Sequence, residues 1–84
     1  MNSKQRKTLA AVFTDPVSAT IEWAAIESLL FAVGCSVAEG AGSRVKFTFG
    51  LEVEVLHRPH PAGEAKLYQV RAARAFLLRL GIRP

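Results

Sequence analysis

Two histidines stand among cations in the second half of the chain, in the segment Leu56-His57-Arg58-Pro59-His60-Pro61. An imidazole exchanges protons near neutral pH, and nearby cations attract phosphate groups. This combination is suited to acid/base chemistry on phosphodiesters. A structural interpretation is also open, in which His57 ends the core face of a strand and His60 is a loop residue held by its prolines.

Other chemistries have less support in the residues present. Cys35 is the single cysteine, so the chain forms no internal disulfide, and Cys35 with two histidines does not make a set of zinc ligands. Neither Cys35 nor Ser43 belongs to a recognisable nucleophile motif. We therefore expect neither a metal nor a cofactor.

Length and composition indicate one small folded domain that has more apolar residues than its core can bury. The chain has 84 residues, of which 50% are hydrophobic and 21% charged, and this excludes intrinsic disorder. Some apolar side chains must therefore lie on the surface or under a partner. The apolar stretches are shorter than the roughly 20 residues of a membrane span, and the polar start lacks the apolar core of a signal peptide. We expect a cytoplasmic protein that does not enter a membrane.

Basic residues are concentrated in the second half of the chain. Residues 1–42 hold three Lys or Arg against four acids, whereas residues 43–84 hold eight against three, and the net charge is +4. Such an asymmetry is typical of a protein with an anionic partner, most often nucleic acid. A solvated basic surface is the alternative.

The spacing of apolar residues predicts three helices. The first begins with Ser3 as its cap and runs to about Phe13, before Thr14-Asp15-Pro16 ends it. The second runs from Trp23 to Gly34, and the third from about Ala65 to Leu80, with apolar residues every three or four positions.

Between the last two helices the apolar residues alternate, which predicts three short strands. These strands lie around Cys35 to Ala38, Arg44 to Phe49 and Val53 to Arg58. The predicted fold class is α+β, a two-layer sandwich with a three-stranded antiparallel sheet and helices on one face. Residues 1–19 form an N-terminal helical extension on the domain of residues 20–84. The second face of the sheet is open to solvent or ligand.

The turn after Phe49 decides which side chains share a face of the sheet. A two-residue turn at Gly50-Leu51 would place Glu52 and Glu54 on the face of the core aromatics. We therefore predict a three-residue turn, which pairs Phe49 with Val53, Phe47 with Val55 and Val45 with His57.

This register has a consequence for the open face. Arg44 would stand opposite Arg58, with Lys46 beside them. Like charges that face each other across strands destabilise a sheet unless an anion lies between them. The arrangement suggests a phosphate site, although both side chains could also extend into water.

The last helix carries a basic stripe beside its apolar residues. Arg71 and Arg74 lie on this stripe, and Lys66 lies in the first turn, where its charge opposes the helix dipole. These residues could follow a nucleic-acid backbone or meet an acidic partner. A solvated helical face is the alternative.

Several short segments of the sequence resemble HicA toxins of bacterial type II toxin-antitoxin systems. They are Gly42-Ser43-Arg44-Val45, then His57-Arg58-Pro59-His60-Pro61, then Val70-Arg71 followed by Phe76-Leu77 and Gly81-Ile82. The helix from Trp23 to Gly34 is similar to the first core helix of the family, so the resemblance covers residues 20–84. It implies a fold like the double-stranded-RNA-binding domain (α-β-β-β-α), cleavage of mRNA without a metal, and neutralisation by a HicB antitoxin that covers the RNA-facing surface.

The sequence departs from the family at one important position. The family motif is Gly-Ser-His, with a catalytic histidine, and here Gly42-Ser43 is followed by Arg44. Three accounts stay open. His57 supplies the proton-transfer group, Arg44 stabilises a phosphorane-like transition state, or the protein binds RNA without cutting it.

The leading prediction is a HicA-like toxin, an endoribonuclease that cleaves mRNA and inhibits translation and growth, in a hetero-oligomer with a HicB-like antitoxin when neutralised. His57 and Arg44 are its predicted catalytic residues. Its predicted RNA-binding residues are Lys46, Arg58, His60, Lys66, Arg71 and Arg74. The alternatives are a non-catalytic RNA-binding module and a protein-interaction domain that docks an acidic, antitoxin-like partner.

Overall fold

Helices and strands follow one another in the predicted order. The computed structural model describes residues 1–61 and 63–84. Its elements are α1 (Ser3–Val12), α2 (Trp23–Ala32), β1 (Ser36–Glu39), β2 (Arg44–Phe49), β3 (Glu52–His57) and α3 (Leu67–Arg79). The predicted α+β class and the order α-α-β-β-β-α are confirmed. Within these described residues, no helix has the length and apolar character needed to cross a membrane.

The first helix is capped one residue earlier than predicted. Asn2 Oδ1 accepts a hydrogen bond from the Gln5 backbone N–H at 2.8 Å, and Gln5 Oε1 accepts one from the Asn2 N–H at 2.9 Å. This reciprocal pair is a capping box, with Gln5 at the third helical position. The prediction of Ser3 as the cap is therefore wrong, since Asn2 already satisfies the unpaired N–H group of the first turn.

The hydrophobic core lies between the helices and one face of the sheet. Trp23 of α2 meets Phe47 of β2 edge-on, with ring centroids 6.4 Å apart. Helix α1 packs against α2 and α3 and shares the same core. The boundary between residues 19 and 20 stays a prediction. Fully buried side chains come from all three helices and from β2, and they include Val12, Ile26, Leu29, Leu30, Val45, Phe47, Val70, Phe76 and Leu77.

The sheet has the strand order β1-β2-β3, and both neighbouring pairs are antiparallel. The register between β2 and β3 differs from the prediction. Phe49 pairs with Glu52 and Arg44 with His57, so the strands are joined by the two-residue turn Gly50-Leu51. Gly50 has φ of 60° whereas Leu51 has no positive φ, which is the pattern of a type II′ hairpin turn.

The predicted three-residue turn is wrong because the two glutamates on the helix-facing side of the sheet are paired. Arg79 at the end of α3 donates from Nε to Glu52 at 2.9 Å and from Nη2 to Glu54 at 3.3 Å. These hydrogen bonds raise the pKa of Arg79. The guanidinium also lies 5.1 Å from the centroid of the Phe76 ring. Because Glu52 and Glu54 meet a cation at the rim of the core, the two-residue register leaves no unpaired charge there.

Candidate nucleic-acid interface

One face of the sheet is not covered by the helices, and we call it the open face. Arg44 and Lys46 of β2 and His57 of β3 project from it, and all three are exposed. Arg44 lies directly opposite His57 across the two strands, and Lys46 lies two residues further along β2. The structure therefore brings together the two predicted catalytic residues and one predicted RNA-binding residue. The other open-face residues are Ser36, Ala38, Thr48, Val53 and Val55.

The loop before β2 brings a hydroxyl group to the imidazole. Ser43 Oγ lies 3.4 Å from His57 Nδ1, and the Arg58 backbone N–H donates to the Ser43 carbonyl at 2.9 Å. Gly42 has φ of 66°, in the region that favours glycine, so the loop can turn sharply just before Ser43. The Ser43 hydroxyl therefore contacts the ring at Nδ1.

A buried glutamine of α3 fixes the end of β3. Gln69 is only 1% exposed, and its side-chain N–H donates to the His57 carbonyl. Its Oε1 accepts from the Lys66 backbone N–H at 2.8 Å. The first turn of α3 therefore holds the backbone of His57. The sequence motifs described above do not single out Gln69. The available signal was its spacing of four from Ala73 and seven from Phe76, which places it on the buried side of the helix.

A shallow depression of about 280 Å³ lies on the open face beside the Arg44 side chain. Arg44 and Lys46 supply two cations, and Glu39 supplies one carboxylate that Arg58 already neutralises. The depression is therefore electropositive, and an anionic group is the ligand that its charges favour. Its lining residues are Ala38, Glu39, Gly40, Arg44, Lys46 and Val55.

Arg58 does not lie on the open face, and the prediction that it stands opposite Arg44 is wrong. Its side chain is on the helix-facing side, where Nε donates to Glu27 Oε1 at 2.6 Å and Nη2 to Glu27 Oε2 at 3.2 Å. Nη1 forms an ion pair with Glu39. The one-residue change in register reverses the side from which Arg58 projects, and His57 takes the place opposite Arg44.

This ion-pair network changes the titration of its members. The hydrogen bond from Arg58 lowers the pKa of Glu27, and burial of the carboxyl opposes this effect in part. The Trp23 indole N–H also donates to Glu27, at 2.5 Å, and lowers its pKa further. The hydrogen bonds with Glu27 and Glu39 raise the pKa of Arg58. The guanidinium is therefore paired with carboxylates, and contact of Arg58 with RNA stays a prediction.

Arg74 is likewise occupied by the protein itself. It donates from Nε to the Val12 carbonyl at 2.8 Å, from Nη2 to the Thr14 carbonyl at 2.8 Å, and from Nη1 to Asp15 Oδ1 at 2.9 Å. Its guanidinium also lies 5.8 Å from the centroid of the Phe13 ring. These contacts hold the end of α1, and contact of Arg74 with RNA stays a prediction.

The three remaining predicted RNA-binding residues lie elsewhere on the surface. Arg71 is exposed on α3, which packs on the covered side of the sheet, and Lys66 is exposed just before this helix. His60 is exposed in the loop after β3. The structure does not bring them together with Arg44 and His57. Their contact with RNA stays a prediction.

The residues described by the structure, 1–61 and 63–84, contain no group of three His, Cys, Asp or Glu side chains placed to hold a metal ion. Cys35 is buried, and burial raises the pKa of its thiol.

Comparisons of the chain with protein families, with curated proteins and with solved structures give no match. The resemblance to HicA toxins therefore rests only on the short segments described above, and membership of that family stays a prediction. The assignment of a site depends on the geometry of the open face.

Proposed function

We propose that the protein is a HicA-like toxin, a metal-independent endoribonuclease that cleaves mRNA in the cytoplasm at the open face of its sheet. One observation carries the proposal: His57 lies opposite Arg44 on an exposed, basic surface. Neither Arg44 nor Lys46 forms an ion pair with a carboxylate of residues 1–61 and 63–84. Both cations are therefore available to an anionic ligand.

The unpaired cations support the proposal of RNA binding. Arg44 presents a planar guanidinium that can donate two parallel hydrogen bonds to one phosphate, and Lys46 supplies a second charge on the same strand. Binding to the RNA backbone releases counterions, so the affinity falls as the salt concentration rises. Two cations and the imidazole make a small contact surface, and this suits a single-stranded segment of RNA.

Cleavage requires proton transfer and stabilisation of charge at phosphorus. In the proposed reaction the 2′ hydroxyl oxygen attacks the adjacent phosphorus, and its proton passes to the unprotonated nitrogen of His57. The bond to the 5′ oxygen breaks, and that oxygen takes a proton from water. Arg44 donates hydrogen bonds to the phosphoryl oxygens, where negative charge increases in the transition state. The products are a 2′,3′-cyclic phosphate and a 5′ hydroxyl, and His57 then releases its proton to solvent.

The same face provides a surface for a HicB-like antitoxin. Val53 and Val55 of β3 are 46% and 43% exposed beside the cations. A partner with acidic and apolar side chains would cover both kinds of surface and would exclude RNA from the face. We therefore propose that toxin and antitoxin form a hetero-oligomer through the open face.

A second candidate is RNA binding without cleavage. The observation that favours it is that His57 is the one histidine on the open face, while Arg44 stands where the HicA motif has its catalytic histidine. A single imidazole can act as base or as acid, whereas two groups would serve both steps.

The test is incubation of a labelled single-stranded mRNA fragment with the purified chain in EDTA, followed by a denaturing gel. We expect His57→Ala to lower the cleavage rate about 10²- to 10⁴-fold, the range of general acid–base catalysis, while RNA binding is retained. Arg44→Ala should lower both binding and cleavage, and Arg44→Lys should restore part of each because it keeps the charge. Wild-type protein that binds the fragment without cutting it would support the second candidate. Protein that neither binds nor cuts it would rule out both candidates and leave the protein-interaction domain.

A further inference from the structure

A second basic surface lies on the opposite layer of the molecule, beside α1. Within Ser3–Val12 the helix carries Lys4, Arg6 and Lys7 and no acid. All three cations are exposed, and none forms an ion pair with a carboxylate in the described part of the chain. Lys4 and Lys7 are one helical turn apart and line the same groove, of about 270 Å³. We call it the α1 groove, and its lining also includes Thr8, Ala11, Ser18, Thr20, Ile21, Glu22 and Ala25.

The walls of the α1 groove belong to fixed parts of the structure. The capping box of Asn2 and Gln5 orders the first turn of α1, and the Gln5 side-chain N–H donates to Ser28 Oγ of α2 at 3.0 Å. On the other wall the Ser18 and Thr20 hydroxyls lie 3.1 Å apart. The two lysines therefore start from a helix that is tied to α2, and they line the same groove as two hydroxyl groups, which can donate hydrogen bonds to an anion.

The position of the two lysines is unfavourable for the helix itself. Like charges three residues apart repel each other, and cations near a helix N-terminus oppose the helix dipole. Glu22 is the one carboxylate of the groove, and it lies beyond 4 Å from both lysine nitrogens. An anion seated between Lys4 and Lys7 would relieve both effects.

We propose that the α1 groove binds backbone phosphates of RNA, as a second contact in addition to the open face. This inference rests on the proposed function, in which the chain binds RNA. A lipid surface fits less well, because an interfacial helix needs an exposed apolar face, and the apolar residues Leu9 and Val12 of α1 are buried in the core.

The test compares two variants that each lose two positive charges. Lys4→Gln/Lys7→Gln removes the groove lysines, and Arg6→Gln/Arg83→Gln removes two exposed arginines outside the groove. Binding of a labelled single-stranded RNA is measured by fluorescence anisotropy at several salt concentrations. For two lost phosphate contacts the slope of log K against log salt should flatten by about 1.4, and affinity at 0.1 M salt should fall about 10- to 25-fold. The control variant should keep the wild-type slope, and Lys4→Arg/Lys7→Arg should restore it.

Equal losses in the groove variant and the control would overturn the proposal, because net charge alone would then explain both. An unchanged slope in the groove variant would overturn it as well. A third variant, Arg44→Gln/Lys46→Gln, separates this inference from the proposed function. If that variant alone loses affinity, the α1 groove fails and the open face stands. If the groove variant alone loses affinity, the groove stands and the proposed open-face site fails.

Discussion

The two cations of the open face and three arginines in and around the helix layer have similar charge and different surroundings. Arg58, Arg74 and Arg79 in and around the helix layer each pair with at least one carboxylate. Arg44 and Lys46 on the open face pair with none in the residues that the structure describes. Residue type does not distinguish the two groups. The presence or absence of a carboxylate partner does.

The difference has a physical reason. A cation beside a carboxylate loses most of its long-range field, and its side chain is already ordered by hydrogen bonds. An unpaired cation keeps its field and attracts an anionic ligand from solution. Arginines of the first kind contribute to the free energy of folding, and cations of the second kind are available for binding.

The largest contrast that we expect lies between an apolar residue on each side of the sheet. Phe47→Ala removes a fully buried ring and should lower the free energy of unfolding by about 3–5 kcal/mol. Val55→Ala, on the open face and 43% exposed, should lower it by less than about 1 kcal/mol. Urea denaturation of both variants measures the difference. Similar losses would contradict the assignment of a covered and an open face.

A second contrast compares two arginines of the same helix. Arg74→Gln removes the hydrogen bonds to the Val12 and Thr14 carbonyls and to Asp15, so we expect a loss of about 2 kcal/mol in the free energy of unfolding. Arg71→Gln, at an exposed position, should change it by less than about 0.5 kcal/mol. The measurement is again urea denaturation. If Arg71→Gln is the more destabilising of the two, Arg74 does not hold α1 as described.

A third contrast compares an arginine that we expect to matter for stability, Arg58, with one that we expect to matter for RNA binding, Arg44. Arg58→Gln leaves Glu27 without its main partner and should cost about 1 kcal/mol, a value reduced because the arginine side chain is 37% exposed. Arg44→Gln should leave stability nearly unchanged and weaken RNA binding. Unfolding and anisotropy measurements on both variants test this reversal. Loss of RNA affinity in a folded Arg58→Gln protein would show that Arg58 also contacts RNA.

The sequence correctly predicts the helices and strands, but it does not predict which side chains the strand register places together. Periodicity is a local property, so the helices and strands could be predicted from apolar residues two, three or four positions apart. The register could not, because Glu54 is acceptable on the helix-facing side only through Arg79, which lies 25 residues away. No local pattern carries that information.

The candidate site was also only partly predictable from the sequence. The strand register and the HicA-like motif point to Arg44, and residue type and cationic neighbours point to His57. The structure pairs the two across the strands, whereas the predicted register pairs His57 with Val45. The prediction of RNA contact depends on the strand register for Arg58 and on helical spacing for Arg74, and neither pattern includes a tertiary partner. Their actual partners, Glu27 and Asp15, are 31 and 59 residues away in the chain, and only the folded structure places them together. The supporting residue Gln69 acts through a tertiary hydrogen bond and was missed for the same reason.

The smallest effect that we expect is a change in the pH dependence of stability. Because the pKa of Glu27 is lowered in the folded protein, its contribution is fully present above its ordinary pKa of 4.5 and is lost as the pH falls through the lowered value. Wild-type protein should therefore lose stability relative to Glu27→Gln only below about pH 4.5. Urea denaturation of both proteins at pH 7, 4 and 3 measures this. A constant difference at all three pH values would contradict the lowered pKa.

The contacts between Arg74 and the end of α1 also set an order of events during synthesis. Arg74, which donates a hydrogen bond to the Val12 carbonyl, is synthesised 62 residues after Val12. At ribosomal rates of about 5–20 residues per second, this corresponds to roughly 3–12 s. For that interval the nascent chain has α1 without the partner that secures its last turn, and Leu9 and Val12 lack the neighbours that α3 supplies. The α+β fold, and with it the support of the open face by Gln69, is completed only once the C-terminal helix has been made.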